Sequence, residues 1–343
     1  MKKYALDMTG KQFKTAAKSI IDGDYRLSQI AKWIYEKKSD SFENFTNLPK
    51  ELREKLSGKF LLRALKIAKK EKSALDGTIR YTFETLDKKY FFAVFLSTGG
   101  RNSLCISSQI GCPVKCAFCH SGKVKFARNL SGGEIIEQVL QIENDTGEKT
   151  SSISFMAMGE PMLNFPNIVF VLNSLLSNKG FGINKRRITV SSMGVIPAVK
   201  KLADKNFGIR LALSLHAVDQ KRRKRLVLND LGFRVEDILE AGKYYLKKTN
   251  SHLTIEYALI KGINDFTADA HKLARLLKRH ELINSNVNVS LIPFNSVVNI
   301  KFQSPDCEAV QRFKNILKFN RITANIRPAK GADIKAACGQ LGY

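Results

Sequence analysis

At 343 residues the chain exceeds one average domain, and its 44% apolar residues are enough for one large core and a smaller one. No run approaches the ~20 apolar residues of a membrane span, and Met1-Lys2-Lys3-Tyr4-Ala5-Leu6-Asp7 lacks the apolar stretch of a secretory leader, so a cytoplasmic protein is expected. Lys plus Arg number 57 against 31 Asp plus Glu, a balance of +26 that favours a polyanionic partner, although a Lys-rich solubility surface would give the same total.

Residues 1 to about 72 read as helical. Gln29 to Tyr35 is amphipathic, and Leu48-Pro49-Lys50-Glu51 is a helix start with proline at the first turn. From Ser73 the pattern changes: Thr78 to Leu86 alternates apolar and polar, Asp87-Lys88-Lys89 turns the chain, and Tyr90 to Leu96 returns, which predicts a β-hairpin. Short apolar runs then recur at 103–109, 153–158, 187–192, 210–215, 253–260 and 287–293, with helical patterns such as Glu134 to Glu143 and Ile168 to Leu176 between them. Six strands alternating with helices predict βαβ units and a parallel sheet. Nearly every strand ends in polar residues or glycine, which a barrel uses and a Rossmann sheet does not; no G-x-G-x-x-G follows any strand. The expected organisation is a helical accessory domain over 1–72, basic and expected to bind RNA, a hairpin extension over 73–98 and an α/β barrel over 99–343 that ends in the segment of Cys338. Basic clusters lie at Lys66 to Lys72, at Lys185-Arg186-Arg187 and at Gln220 to Arg225, the last with the look of a solvated helix face.

Cysteines carry the sharpest signal. Of six, Cys105, Cys112, Cys116 and Cys119 crowd together, and cytosolic proteins do not spend cysteines on structural disulfides. Cys112-Pro113-Val114-Lys115-Cys116-Ala117-Phe118-Cys119 follows a strand through Gly111. Thiolates at C-x3-C-x2-C spacing can hold three irons of a [4Fe-4S] cubane and leave the fourth open for chemistry, with Phe118 as a shield against water. A structural zinc with His120 or Cys105 as fourth ligand is the alternative, but zinc sites usually pair two C-x2-C knuckles and there is no second one here.

That motif, with Leu104-Cys105-Ile106-Ser107-Ser108-Gln109-Ile110-Gly111-Cys112, Met158-Gly159-Glu160-Pro161, Lys185-Arg186-Arg187-Ile188-Thr189, Ser214-Leu215-His216-Ala217, Ile292-Pro293-Phe294-Asn295 and Ala337-Cys338-Gly339-Gln340-Leu341, closely resembles the radical S-adenosylmethionine (SAM) RNA adenine methyltransferases of the RlmN/Cfr family over nearly the whole chain. The resemblance implies a partial (β/α)6 barrel, a [4Fe-4S] cluster on Cys112, Cys116 and Cys119, and two SAM per turnover. It implies SAM contacts from Gly159, Glu160, Ser191, Ser214, Leu215, His216 and Asn295, with His216 acting through contacts rather than acid–base work. Cys338, expected on a mobile segment, would carry the methyl group. The radical made from a second SAM would activate that methyl for addition to an adenine carbon too electron-poor for ordinary methyl transfer. Cys105 would then release the product by thiol–disulfide exchange. The implied substrate is an adenine, C2 by default, of 23S rRNA, with tRNA as a second candidate. Lys185, Arg186 and Arg187 would meet phosphates, a donor such as flavodoxin would supply electrons, and a monomer is expected. Cys307 matches no motif and reads as a buried small hydrophobe.

One departure stands out. The family carries a glutamate, proposed as proton acceptor, about thirteen residues before the position of Cys105, and here that position is Phe92, with Glu84 and Asp87 the nearest acids on the N-terminal side. A positioned base is worth roughly 10²–10⁴-fold. Two rivals follow: a divergent member acting at C8 or with slowed turnover, and a metal-stabilised RNA-binding module without chemistry.

Overall fold

The computed structural model describes residues 2–342. Its centre is a ten-stranded sheet whose strands are β1 (Leu65–Lys72), β2 (Ile79–Thr85), β3 (Tyr90–Thr98), β4 (Arg101–Cys105), β5 (Ser152–Phe155), β6 (Ile188–Ser192), β7 (Arg210–Ser214), β8 (Leu253–Leu259), β9 (Val287–Pro293) and β10 (Ala324–Ile326). Every strand lies beside its predecessor in sequence. The pairs β1·β2, β2·β3 and β3·β4 are antiparallel; all those from β4 to β10 are parallel. No pairing joins β10 back to β4 among the described residues, so the barrel is open.

The alternation along each strand explains the two faces. Leu104, Ile153, Val190, Leu211, Ile255 and Val289 are buried against the helices. Residues that alternate with them along the strands, such as Ser191, Ser214 and Glu256, line the cavity inside the barrel. Side chains of successive strand residues point to opposite faces, so an apolar/polar alternation in a parallel sheet builds a dry outside and a polar lumen. The helix Gly132–Thr146 after β4 starts on a capping box, Ser131 accepting from the Glu134 N–H at 3.2 Å and Glu134 from the Ser131 N–H at 2.9 Å.

The six expected parallel strands are present, and β10 adds a seventh that delivers the chain to the C-terminal segment. The hairpin turn at Asp87 to Lys89 is also present, with Lys88 in the left-handed region at φ 57°. The helical reading of the first 72 residues holds only to Lys59: helices Gly10–Ala16, Gly23–Tyr35 and Lys50–Lys59 are followed by strand, and Leu65–Lys72 is the outer strand of the main sheet. Its lysines hid a strand because charge on an exposed edge breaks the apolar alternation on which strand prediction depends. The N-terminal helices are tied to the barrel through the buried Glu137, which accepts from the Tyr4 hydroxyl and from the Ala64 N–H at 2.8 Å.

Candidate active site

The cluster loop leaves the sheet through Gly111, whose φ of +74° and crowding (a Cβ there would stand 2.4 Å from the Lys125 carbonyl oxygen) admit only glycine. The loop is clamped by the segment after β7. The Ala117 N–H donates to the Leu226 carbonyl at 2.8 Å, the Asn229 N–H to Val114 at 3.0 Å, and Cys116 forms an isolated bridge with Val227. Cys112, Cys116 and Cys119 line one cavity. Burial pushes all three thiols up, Cys112 to about 12. Thiols so placed need a cation to become ligands, and iron bound by thiolates supplies one; the donor set fits a cluster.

The expected SAM residues mostly gather on the same cavity. Gly159, Glu160, Ser191, Ser214, His216 and Asn295 line it together with Met156, Met193, Glu256 and Arg327. Gly159 has φ +102°, and a Cβ there would meet the Gln109 side chain at 2.5 Å. Both Glu160 oxygens accept backbone N–H groups, from Met162 at 2.9 Å and Met193 at 2.7 Å, while burial raises its carboxyl to about 7. Ser191 and Ser214 hydroxyls reach the Glu256 carboxylate at 3.3 and 3.1 Å. His216 Nδ1 accepts the Ala258 N–H at 3.0 Å, and burial, then Arg223, lowers the imidazole to about 3. That ring is a neutral acceptor, in keeping with contacts rather than proton transfer. Leu215 is the exception: its side chain is fully buried in the core, outside the cavity lining, and its carbonyl accepts from Arg223 at 2.6 Å. The Phe118 ring meets the His216 ring edge-on at 4.8 Å on the cavity wall.

Cys338 lines the cavity too. Its segment is not loose: the Asn295 side chain donates to the Cys338 carbonyl at 2.9 Å, the His120 N–H to Gly339 at 2.7 Å, and Gln340 to Ser296 at 2.8 Å. Cys338 is exposed; Cys105, the last residue of β4, is half-buried. Burial, then Cys338, pushes the Cys105 thiol to about 12. Both interact with Arg327, whose charge is favoured first by Cys338, then by Glu256 and Cys105, and which donates to Glu256 at 2.7 Å.

Several expectations need correction. Cys307 is exposed at the start of the helix Cys307–Phe319 rather than buried. The basic run Gln220 to Arg225 does lie in a helix, Gln220–Leu226, but Arg223 is fully buried and donates to the carbonyls of Ser214, Leu215 and Met193. Lys185, Arg186 and Arg187 form an exposed turn; Arg186 and Arg187 line a second cavity, and Lys185 lies along Gly208 instead. Phe92 is buried, and neither earlier acid reaches the site: Glu84 pairs with Lys88 and Asp87 with Arg128. The sequence reading missed Arg223, Glu256 and Arg327. A lone acid within the apolar run Leu253 to Ile260 was the available signal for Glu256, since unpaired acids are almost never buried.

Comparison with known proteins follows the same lines. The Radical SAM superfamily model matches residues 106–277, and the model of the ribosomal RNA large subunit methyltransferase N-terminal domain matches residues 5–62. The chain is 70% identical over 342 residues to a probable dual-specificity RNA methyltransferase RlmN of Endomicrobium trichonymphae, covering 100% of this chain and 98% of that one. It is 41% identical over 339 residues to a protein of the same description from Thermotoga petrophila, covering 99% and 97%. Among solved structures it is similar to a radical SAM methyltransferase from Sphaerobacter thermophilus, with TM-score 0.93, 34% identity and 99% of both chains covered.

Proposed function

The chain belongs to the RlmN family and is a radical SAM enzyme that methylates ribosomal RNA, and from that premise we propose that it forms 2-methyladenosine in 23S rRNA, with tRNA as a second substrate, by way of a methylated Cys338. The observation that carries this reading is the placement of Cys338 on the cavity lined by Cys112, Cys116 and Cys119, with Cys105 in electrostatic reach of it. Cys112, Cys116 and Cys119 would hold the [4Fe-4S] cluster, and Gly159, Glu160, Ser191, Ser214, His216 and Asn295 would surround SAM. When bound, these groups supply a methyl group from one SAM and a 5′-deoxyadenosyl radical from a second. Cys338 accepts the methyl, which gives up one hydrogen atom to that radical and bonds through its carbon to the adenine; the adduct releases one electron, replacing the one spent on making the radical, and the adenine ring proton. The Cys105 thiolate then attacks the Cys338 sulfur, the electron pair of the S–C bond stays with the carbon and takes up a proton to complete the RNA methyl, and a thiol reductant returns the Cys105–Cys338 disulfide to two thiols. Arg327 stands where it can favour either thiolate during the exchange. With Phe92 at the position of the family's glutamate, the adenine proton leaves to another acceptor.

The test is mass spectrometry of nucleosides from unmethylated ribosomal and transfer RNA, treated anaerobically with reconstituted protein, SAM and a reductant. 2-Methyladenosine that vanishes with Cys338→Ala supports the reading. 8-Methyladenosine would move the target to C8. SAM cleavage without any methyladenosine would overturn the proposed substrate.

A further inference from the structure

The proton on the methylated adenine carbon must leave before the ring is aromatic again, and the phenyl ring of Phe92 cannot take it. Apart from the thiols, three side chains with basic lone pairs line the cavity that holds Cys338: Glu160, His216 and Glu256. The Nδ1 of His216 accepts the Ala258 N–H at 3.0 Å, so the ring proton sits on Nε2 and no lone pair is left to offer. Glu160 is occupied as well. One of its oxygens accepts the Met162 N–H at 2.9 Å and the other the Met193 N–H at 2.7 Å. It also lies within electrostatic reach of Cys112 and Cys116, on the cluster side of the cavity.

Glu256 is placed differently. Its neighbours on β8, Ile255 and Tyr257, are fully buried, and Tyr257 packs on Phe313 of the helix Cys307–Phe319, so the strand's alternation turns Glu256 into the lumen. Its Oε1 accepts from Arg327 at 2.7 Å, and its Oε2 accepts from the Ser191 and Ser214 hydroxyls at 3.3 and 3.1 Å. Both serines are among the residues that would surround SAM. A hydroxyl has one proton to donate. Once it is donated to SAM, Oε2 loses these donors and keeps free lone pairs facing the cavity. Arg327 still fixes the other oxygen, and the same guanidinium interacts with Cys338, so one cation ties the carboxylate to the methyl carrier. An ion pair makes a carboxylate a weaker base. The adduct, however, is a strong acid after it has released its electron, because losing the proton restores an aromatic ring.

Building on the proposed methylation through Cys338, we propose that Glu256 accepts the adenine ring proton in this chain, the duty that Phe92 cannot perform. An Oε2 lone pair of Glu256 forms the new O–H bond, the C–H bond of the adduct breaks, and its electron pair stays in the ring. Glu256 becomes a neutral acid and returns its proton to water when the product leaves. Position 92 offers a way to check this. Phe92 lies two residues from Val94, whose register partner is Cys105, and therefore shares the lumen face of the sheet with that thiol. A carboxylate introduced there would stand beside the Arg80 guanidinium as its counter-charge.

The experiment compares the parent, Glu256→Gln, and Glu256→Gln combined with Phe92→Glu. Each is the full reconstituted chain, given SAM, a reductant and RNA with hydrogen or deuterium on the methylated carbon. Glu256→Gln should keep the parental circular dichroism and the parental SAM affinity, read by equilibrium dialysis. It should still methylate Cys338 and release 5′-deoxyadenosine. Methyladenosine formation should fall roughly 10²–10⁴-fold, with a larger deuterium isotope effect than in the parent, because breaking the C–H bond becomes the slow step. Adding Phe92→Glu should recover most of that loss. A merely structural role for Glu256 would neither raise the isotope effect nor be repaired from another strand. Parental methyladenosine formation in Glu256→Gln, an isotope effect no larger than the parental one, or no gain from Phe92→Glu would overturn the inference while the methylation reading stands. Losses of SAM affinity as deep as the loss of methyladenosine would overturn it too, and make Glu256 a SAM ligand. A parent that forms no methyladenosine would bring down the methylation reading and this inference with it.

Discussion

The guanidinium of Arg80 lies 4.4 Å from the ring centroid of Phe92, and its two terminal nitrogens donate to the carbonyls of Ile334 and Gly342, at 3.3 and 2.9 Å. Position 92 therefore bears on the segment that carries Cys338, through one buried cation stacked on an aromatic face. Phe92→Ala should cost about 3–5 kcal/mol, as large-to-small changes in a packed core do. It should also make residues 331–342 exchange amide hydrogens faster than in the parent, read by hydrogen–deuterium exchange. Equal protection of that segment in both proteins would sever the link.

Arg223 offers a second case. It is fully buried, and its side chain satisfies the carbonyls of Ser214 and Leu215 at 3.0 and 2.6 Å and that of Met193. Arg223→Met keeps the volume but strands these acceptors, at about 1–3 kcal/mol each. Because the next turn of chain clamps the cluster loop at Ala117, the variant should retain less than half the iron of the parent after reconstitution. Full iron content with a parental urea midpoint would refute this.

His216 sets a pH dependence. Its folded value of about 3 lies below the ordinary 6.5, so the folded state binds fewer protons than the unfolded state between them. Stability from this residue is complete above the unfolded value and is lost as pH falls toward the folded one. The urea midpoint should drop between about pH 7 and about pH 5, and the drop should be shallower in His216→Gln. Parallel declines in the two proteins would place the acid sensitivity elsewhere.

The cysteines should separate by reactivity. Cys307 and Cys338 are exposed, whereas the Cys105 thiol stands at about 12 against an ordinary 9.0. That is roughly a thousandfold less thiolate near neutral pH. Brief iodoacetamide treatment of the reduced apoprotein, followed by peptide mass spectrometry, should label Cys307 and Cys338 first and leave Cys105 largely unmodified. Labelling of Cys105 at the same rate would contradict its raised thiol.

What could be read from sequence was what short-range chemistry dictates. The thiol spacing of Cys112, Cys116 and Cys119 and the polar strand ends at Ser191, Ser214 and Asn295 are local patterns, and they predicted the cavity lining. Leu215 shows the limit of reading by motif, because a strand's alternation turns every second side chain away from the lumen. Arg223, Glu256 and Arg327 were illegible for another reason. Each gains its meaning from partners 8 to 171 residues away, and nothing along the chain distinguishes a buried, paired charge from a solvated one. Arg223 sits inside a run of basic residues and looked like any of them.

The outer strand Leu65–Lys72 has a consequence for the molecule as a colloid. An open sheet has two edges, and each exposes a row of backbone donors and acceptors on which a second copy could grow. At one edge stands β10, three residues long. At the other, Lys66, Lys69, Lys70 and Lys72 line a strand whose register slips between Ile67 and Lys69. A bulge and a comb of ammonium groups both spoil the flat, neutral template that fibril growth needs. Positive charge that looked like an invitation to nucleic acid there disfavours edge-to-edge pairing of identical strands.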